Sequence, residues 1–150
     1  MKLLKNVTLL FIFVVFAITI ISCGKKGMTI YTDNKTGISV NYPSDWVVDS
    51  TGKLGTAFSI LSPKENADDK FQEKLVVQID DSIKFTDLNA YADSTFITMK
   101  LALPDIELSK KKEKKIDSVN AVIGNYNVTI DGIKCKVKQA FIIKNNKGYK

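Results

Sequence analysis

Apolar and polar residues alternate along much of the chain from Met28 onwards, which is the pattern of half-buried β-strands. The predicted strands run through residues 38–42, 46–48, about 55–61 and 75–79, with a polar loop at 62–70. Turn-forming residues such as Pro43 and Gly52 separate these strands. Most of the chain is therefore expected to form β-sheet.

One helix interrupts this pattern. Its apolar residues recur at three- and four-residue spacing: Leu88, Tyr91, Ala92, Thr95, Phe96 and Met99. Thr86 or Asp87 can cap the N-terminus of this helix, and Pro104 ends it. An aromatic and methionine face of this kind is typical of core packing, so we expect the helix to lie on the sheet.

The clearest local unit is a hairpin centred on Asp131-Gly132. A two-residue Asp-Gly loop favours a type I′ turn, which pairs Ile130 with Ile133 and sets the register outward from there. This register makes one side apolar, with Val128 opposite Cys135, and leaves the other side polar. The opposed residues of the polar side are Thr129 and Lys134, Asn127 and Lys136, and Asn125 and Lys138. Cys135 is expected to be a buried small hydrophobic residue, with an exposed reactive thiol as the alternative.

A second turn signal, Asn145-Asn146-Lys147-Gly148, predicts another hairpin after residues 141–143. Its returning strand would begin at Tyr149, and the sequence ends one residue later. Strands usually have about five residues. The sequence is therefore interpreted as ending in an exposed sheet edge, or as a fragment of a longer protein.

The first 22 residues have the pattern of a targeting segment. Lys2 and Lys5 precede an apolar run from Leu9 to Ile21. That run is shorter than the roughly 20 apolar residues that span a bilayer. An apolar signal helix is therefore expected at residues 1–22, with an uncleaved anchor or an ordinary secretory signal as alternatives.

The segment Ile20-Ile21-Ser22-Cys23-Gly24 resembles the lipobox of bacterial lipoproteins. In that family the cysteine is acylated and becomes the mature N-terminus, which implies lipidation at Cys23. The resemblance divides the chain into a signal peptide at 1–22, a flexible tether at 23–27 and a folded domain at 28–150. It also implies a membrane anchor in the cell envelope, on the periplasmic face or at the cell surface. Acylated Cys23 would leave Cys135 without a disulfide partner.

The composition removes much catalytic chemistry. All 22 basic residues are lysines, and the chain contains no histidine. It therefore has no imidazole for a catalytic dyad or a metal site, and no guanidinium for bidentate recognition of phosphate. The paired acids Asp68-Asp69 and Asp80-Asp81 lack the ligand spacing of a calcium loop. We predict no enzyme, no cofactor and no metal; the alternative is an envelope enzyme whose catalytic residues lie in a missing C-terminal part.

Positive charge concentrates towards the C-terminus. Residues 108–150 hold 11 lysines and 3 acidic residues, whereas residues 24–107 hold 9 lysines and 13 acidic residues. The candidate cationic patch consists of Lys110, Lys111, Lys112, Lys114, Lys115, Lys134, Lys136 and Lys138. Each lysine near an anionic surface contributes about 1 kcal/mol, so the patch predicts contact with anionic lipid, an envelope polymer or an acidic protein.

The alternative is a solvated loop and an outer strand face that lysines keep soluble. No aromatic residue is interleaved with the lysine clusters, which argues against nucleic acid.

The segment Thr36-Gly37-Ile38-Ser39-Val40-Asn41-Tyr42-Pro43-Ser44-Asp45-Trp46 is similar to the opening motif of PsbP-like domains, and the resemblance extends over Met28 to Lys150. It implies an α+β fold, in which a curved antiparallel β-sheet with long hairpins is flanked by one main helix. That family includes small bacterial lipoproteins of the DcrB-like kind and acts mainly in binding or assembly. The family's last strand and C-terminal helix are not found here, and without histidine the manganese-linked role of photosynthetic members is not expected. The sequence thus predicts a non-enzymatic, lipid-anchored cell-envelope protein.

Overall fold

The structure, a computed structural model, describes residues 27–150, so the predicted signal helix and Cys23 lie outside it. Its helix α1 spans Leu88–Ala102. Its strands are β1 (Met28–Thr32), β2 (Ser39–Pro43), β3 (Val47–Asp49), β4 (Phe58–Leu61), β5 (Lys74–Val77), β6 (Ile79–Asp80), β7 (Glu107–Leu108), β8 (Lys112–Ile116), β9 (Val119–Ile130), β10 (Ile133–Lys144) and β11 (Lys147–Tyr149).

Antiparallel pairing joins these strands into three groups. The main sheet has the order β6-β11-β10-β9-β7, and β8 also pairs with β9. A second sheet has the order β3-β4-β5, and β1 and β2 form a separate ribbon. Gln78 lies between β5 and β6 and exchanges backbone hydrogen bonds of 2.8 and 2.9 Å with Lys150. The run 74–80 therefore belongs to both sheets, which confirms the expected α+β fold with long hairpins and one main helix.

Three tight turns connect the consecutive strands β8, β9, β10 and β11. Both residues of each turn have positive φ: Asp117-Ser118 (49° and 67°), Asp131-Gly132 (49° and 79°) and Asn145-Asn146 (52° and 60°). Positive φ at both central residues is the type I′ geometry, whose twist matches that of paired strands. The register predicted for the central hairpin is confirmed, from Ile133 opposite Ile130 to Phe141 opposite Val122.

The expected position of the last strand is wrong by two residues. The loop is Asn145-Asn146 alone, so β11 begins at Lys147 and not at Tyr149. The strand is also not an exposed edge, because it pairs with β10 on one side and with β6 on the other. Three residues are enough for a strand here because both sides of its backbone are hydrogen-bonded.

The helix packs on one face of the main sheet, as its apolar spacing predicts. Asp87 caps it, because its Oδ1 accepts a hydrogen bond of 2.7 Å from the backbone N–H of Ala90. The ring of Phe141 lies edge-on to the rings of Tyr91 and Phe96, at centroid distances of 5.9 and 5.1 Å. These aromatic contacts form the centre of the core between helix and sheet.

Two glycines let the helix approach the sheet closely. A Cβ atom added at Gly124 would overlap the ring of Phe96, and one added at Gly148 would overlap the ring of Tyr91. The Tyr91 hydroxyl also donates a hydrogen bond of 2.7 Å to Asp80 of β6, the residue that lies opposite Gly148 of β11. Burial raises the pKa of Asp80, but hydrogen bonds from Tyr91 and Lys150 outweigh it and hold the pKa below its usual value. The helix is thus fixed to both β6 and β11.

Candidate functional site

The face of the β9–β10 hairpin that points away from α1 carries exposed lysines. Val122 of β9 and Phe141 of β10 point towards the helix. Because side chains alternate along each strand, the odd-numbered residues of β9 and the even-numbered residues of β10 point the other way. The opposed pairs on that other face are Asn125 and Lys138, Asn127 and Lys136, and Thr129 and Lys134, all exposed. Successive pairs repeat about every 6.8 Å along the strands. Each pair thus places an ammonium group beside a neutral amide or hydroxyl group.

Strand β7 adds a third row of side chains to this face. Glu107 lies opposite Asn127, and the Asn127 amide donates a hydrogen bond of 3.4 Å to its carboxylate. Ser109 continues the row, since its N–H and its hydroxyl both donate to the carbonyl of Asn125, at 2.9 and 2.8 Å. A groove of about 390 Å³ runs between this row and β10, where Lys136 and Lys138 line it. The lining is mixed, because Tyr126 and Val137 contribute apolar surface beside one acidic side chain, Glu107, and the two lysines.

A β-bulge separates β7 from β8. Glu107 pairs with Asn127 and Lys112 pairs with Ile123. The chain advances five residues from Glu107 to Lys112, whereas β9 advances only four residues from Asn127 to Ile123. One extra residue on one strand of a pair is a β-bulge. Because side chains alternate between faces, the extra residue reverses which members of the following lysine run point away from the helix.

The bulge divides the predicted cationic patch between two faces. Lys112 and Lys114, opposite Ile123 and Ala121, lie on the same face as the β10 lysines. That set, which we call the lysine face, consists of Lys112, Lys114, Lys134, Lys136 and Lys138. Lys115 lies on the helix side of the sheet, and Lys110 lies in the segment between β7 and β8.

Lys111 does not belong to the lysine face, because it is paired with an acidic residue of the helix. Its ammonium group forms an ion pair with Asp93 of α1, and its side chain is only 22% exposed. Glu113 also faces the helix, where its carboxylate accepts a hydrogen bond of 2.9 Å from the Asn89 amide. These contacts attach β8 to α1. The idea that the lysine run 110–115 is a solvated loop is wrong, because residues 112–116 form a paired strand.

One local signal could have revealed this division. Asp117-Ser118 forms a two-residue turn that places Ile116 opposite Val119. Counting back from that pair puts Lys114 opposite Ala121, on the face of the β10 lysines. No such signal places Glu107 and Ser109 on this face. Counting back from the turn fails for them, because the bulge between them and the turn shifts the register by one residue.

Cys135 is buried, as expected. It is 6% exposed and packs with Ile106 and Val128, and its Sγ lies 3.5 Å from the carbonyl oxygen of Ile133. Across residues 27–150, no group of three or more Cys, His, Asp or Glu residues is placed to hold a metal ion. In the same part of the chain no helix is both long and apolar enough to cross a bilayer.

Comparison with known proteins identifies relatives of this fold. A family model described as PsbP-like protein matches residues 19–150. CyanoP, the cyanobacterial PsbP of Synechocystis sp. PCC 6803, is 17% identical with a TM-score of 0.60, over 85% of this chain and 79% of its own. PA94 of Pseudomonas aeruginosa is 18% identical with a TM-score of 0.53, over 81% of this chain and 78% of its own. No curated protein matches.

Proposed function

We propose that the chain, which belongs to the PsbP-like protein family, is a non-enzymatic binding module of the cell envelope. In this proposal acylated Cys23 anchors it to a membrane, and the lysine face binds an anionic partner. The anchor follows from the lipobox resemblance of residues 20–24. A stable attachment requires more than one acyl chain, as in the lipoprotein family that the segment resembles.

The observation that carries the binding role is an excess of positive charge on the lysine face, where five lysines share one acidic neighbour, Glu107. The ion pairs found among residues 27–150 use Lys111, Lys147 and Lys150. In contrast, the β10 lysines lie opposite neutral side chains, namely Thr129, Asn127 and Asn125. Exposed ammonium groups beside amide donors suit a partner that presents several anionic oxygens. Acidic polymers, acidic proteins and anionic headgroups share that chemistry.

Replacing the three β10 lysines tests the binding role. The full acylated chain is placed in phosphatidylcholine vesicles, and fluorescent polyglutamate or a second vesicle population with phosphatidylglycerol is added. For Lys134→Gln/Lys136→Gln/Lys138→Gln we expect binding about tenfold weaker at physiological ionic strength, because screening leaves only part of roughly 1 kcal/mol per lysine. The two probes distinguish an acidic polymer from a lipid surface.

The matched control is Lys53→Gln/Lys64→Gln/Lys70→Gln, which removes the same charge from exposed positions elsewhere. We expect it to retain most of the binding, because those lysines do not lie on the lysine face. An equal loss in both variants, or no binding by the wild type, would contradict the role of this face.

A separate experiment tests the anchor. Mass spectrometry of the expressed protein should show Cys23 as an acylated N-terminus, and the protein should stay with membranes in high salt. Cys23→Ala should release it, since each buried methylene contributes about 0.8 kcal/mol and the variant carries no acyl chain. An unmodified Cys23, or a Cys23→Ala protein that still pellets with membranes after high salt, would rule out the proposed lipid anchor.

A further inference from the structure

The β1–β2 ribbon has one face turned into the protein and one turned out. On the inward face the ring of Tyr31 lies edge-on to the buried ring of Phe58, with 5.0 Å between centroids. On the outward face Met28 is 64% exposed and Ile30 is 67% exposed. Large apolar side chains exposed on this scale are unfavourable in water, so the outward face is a candidate contact surface.

The outward face changes from apolar to polar along its length. At the end where the chain enters, Met28 lies opposite Pro43. At the far end Thr32 lies opposite Ser39, and their hydroxyls are hydrogen-bonded at 2.9 Å. Ile30 lies between these two rows. The apolar part of the ribbon is therefore the part next to the N-terminal segment.

Covalent geometry links this end of the ribbon to Cys23. The Ser44 N–H donates a hydrogen bond of 2.8 Å to the carbonyl of Gly27, so the chain is fixed to the ribbon from Gly27 onwards. The four Cα–Cα steps from Cys23 to Gly27 span at most about 14 Å. A folded domain of this size is roughly 35 Å across. An acyl group on Cys23 would therefore hold this end of the ribbon close to the bilayer.

We infer that the outward face of the β1–β2 ribbon rests on the bilayer that carries the anchor. The inference rests on the proposed acylation of Cys23, and the short reach from Cys23 is what makes phospholipid the occupant. Met28 and Ile30 enter the boundary between headgroups and acyl chains, as apolar side chains of peripheral proteins do. Lys25 and Lys26 lie within the linking stretch and add attraction to anionic headgroups. The ribbon thus orients the domain on the membrane.

Tryptophan fluorescence provides a direct test. Trp46 is the one tryptophan of the chain, and its backbone N–H donates a hydrogen bond of 3.0 Å to the carbonyl of Pro43 at the tether end of the ribbon. The full acylated chain is reconstituted in vesicles of brominated phosphatidylcholine, which quenches tryptophans near the bilayer. We expect the wild type to be quenched, and Met28→Ser/Ile30→Ser to lose most of that quenching.

The matched control is Ile97→Ser/Leu101→Ser, which removes two apolar side chains that are 64% and 81% exposed on α1. Retained quenching in this control, together with its loss in the ribbon variant, supports the inference. Unchanged quenching in the ribbon variant overturns the inference and leaves the ribbon to another partner or a second copy of the chain. Loss of quenching in the helix variant overturns it as well, because α1 would then lie on the bilayer.

The mass spectrum of the same samples separates this inference from the proposed function. Absent quenching in a wild type whose Cys23 is acylated overturns the ribbon contact and leaves the anchor intact. An unmodified Cys23 overturns the anchor, and the ribbon contact with it, before any fluorescence is measured.

Discussion

Phe141→Ala is expected to lower the free energy of unfolding by about 3–5 kcal/mol, the usual cost of emptying a buried phenylalanine site. Phe141 has no exposed surface and contacts the rings of Tyr91 and Phe96 edge-on. Its removal leaves a cavity between β10 and α1 and also ends two favourable aromatic contacts. Since whole domains are stable by roughly 5–15 kcal/mol, this is a large fraction of the total.

Urea unfolding of the full chain, followed by Trp46 fluorescence, measures this loss. Ile97→Ala is the control, because Ile97 is exposed and its truncation should change the stability by less than about 0.5 kcal/mol. A Phe141→Ala protein within about 1 kcal/mol of the wild type would show that the core can close around the gap.

The same variant separates stability from binding. Phe141 points to the helix, whereas Lys138 and its neighbours on the lysine face point away from it. Under conditions where the variant is still folded, we therefore expect polyglutamate binding to be unchanged. The fold positions the lysine face through β9 and β10, while the aromatic core around Phe141 lies on their other side.

The sequence predicts the β9–β10 hairpin and α1 well because their signals are local. A two-residue turn at Asp131-Gly132 fixes the register of 12-residue strands on both sides, and period-two alternation then assigns every side chain to a face. For α1, Asp87 and Pro104 mark the ends, and the spacing of its apolar residues defines the buried face. Only the surface against which that face packs depends on the rest of the fold.

Elements that depend on distant partners are harder to predict. Strand β8 contains mainly charged residues, and its strand conformation comes from pairing with β9 and from the Lys111–Asp93 and Glu113–Asn89 contacts with α1. The bulge before it reflects two different registers along one edge of β9. For this reason the eight candidate lysines of the predicted patch do not share one face: five lie on the lysine face, and Lys111 is paired with the helix.

Local backbone conformation explains a smaller error. The strand predicted from about Gly55 begins only at Phe58. Leu54 and Gly55 have φ values of 56° and 72°, in the left-handed region that strands do not use. A short turn at Lys53–Gly55 therefore precedes β4. Alternation alone does not show where a strand begins when apolar residues also occupy the turn before it.

Gly124→Val is expected to destabilise the fold by about 3 kcal/mol, at the upper end of the usual cost of overpacking. Strand propensity alone predicts the opposite, because valine is favoured over glycine in a strand interior. Gly124 lies in the middle of β9, on the face that contacts α1, and any Cβ there would overlap the buried ring of Phe96. The helix must move outward or the ring must leave its place, and either change opens the core around Phe141.

Denaturant unfolding of the full chain measures the effect, with Asn125→Val as the control. Asn125 is the next residue of β9 and is exposed on the opposite face, so the same valine should be neutral or slightly stabilising there. An equal loss of stability for both variants would attribute the effect to valine in β9 and not to the Phe96 contact.

A second substitution identifies the contact directly. Phe96→Leu shortens the side chain above Gly124, so we expect Gly124→Val to cost less in that background, with a coupling energy of about 0.5–3 kcal/mol. Additive effects of the two changes would contradict the overlap. If the coupling is found, the close approach of α1 requires glycine at this position, and the distance between helix and sheet is set by backbone as much as by the aromatic core.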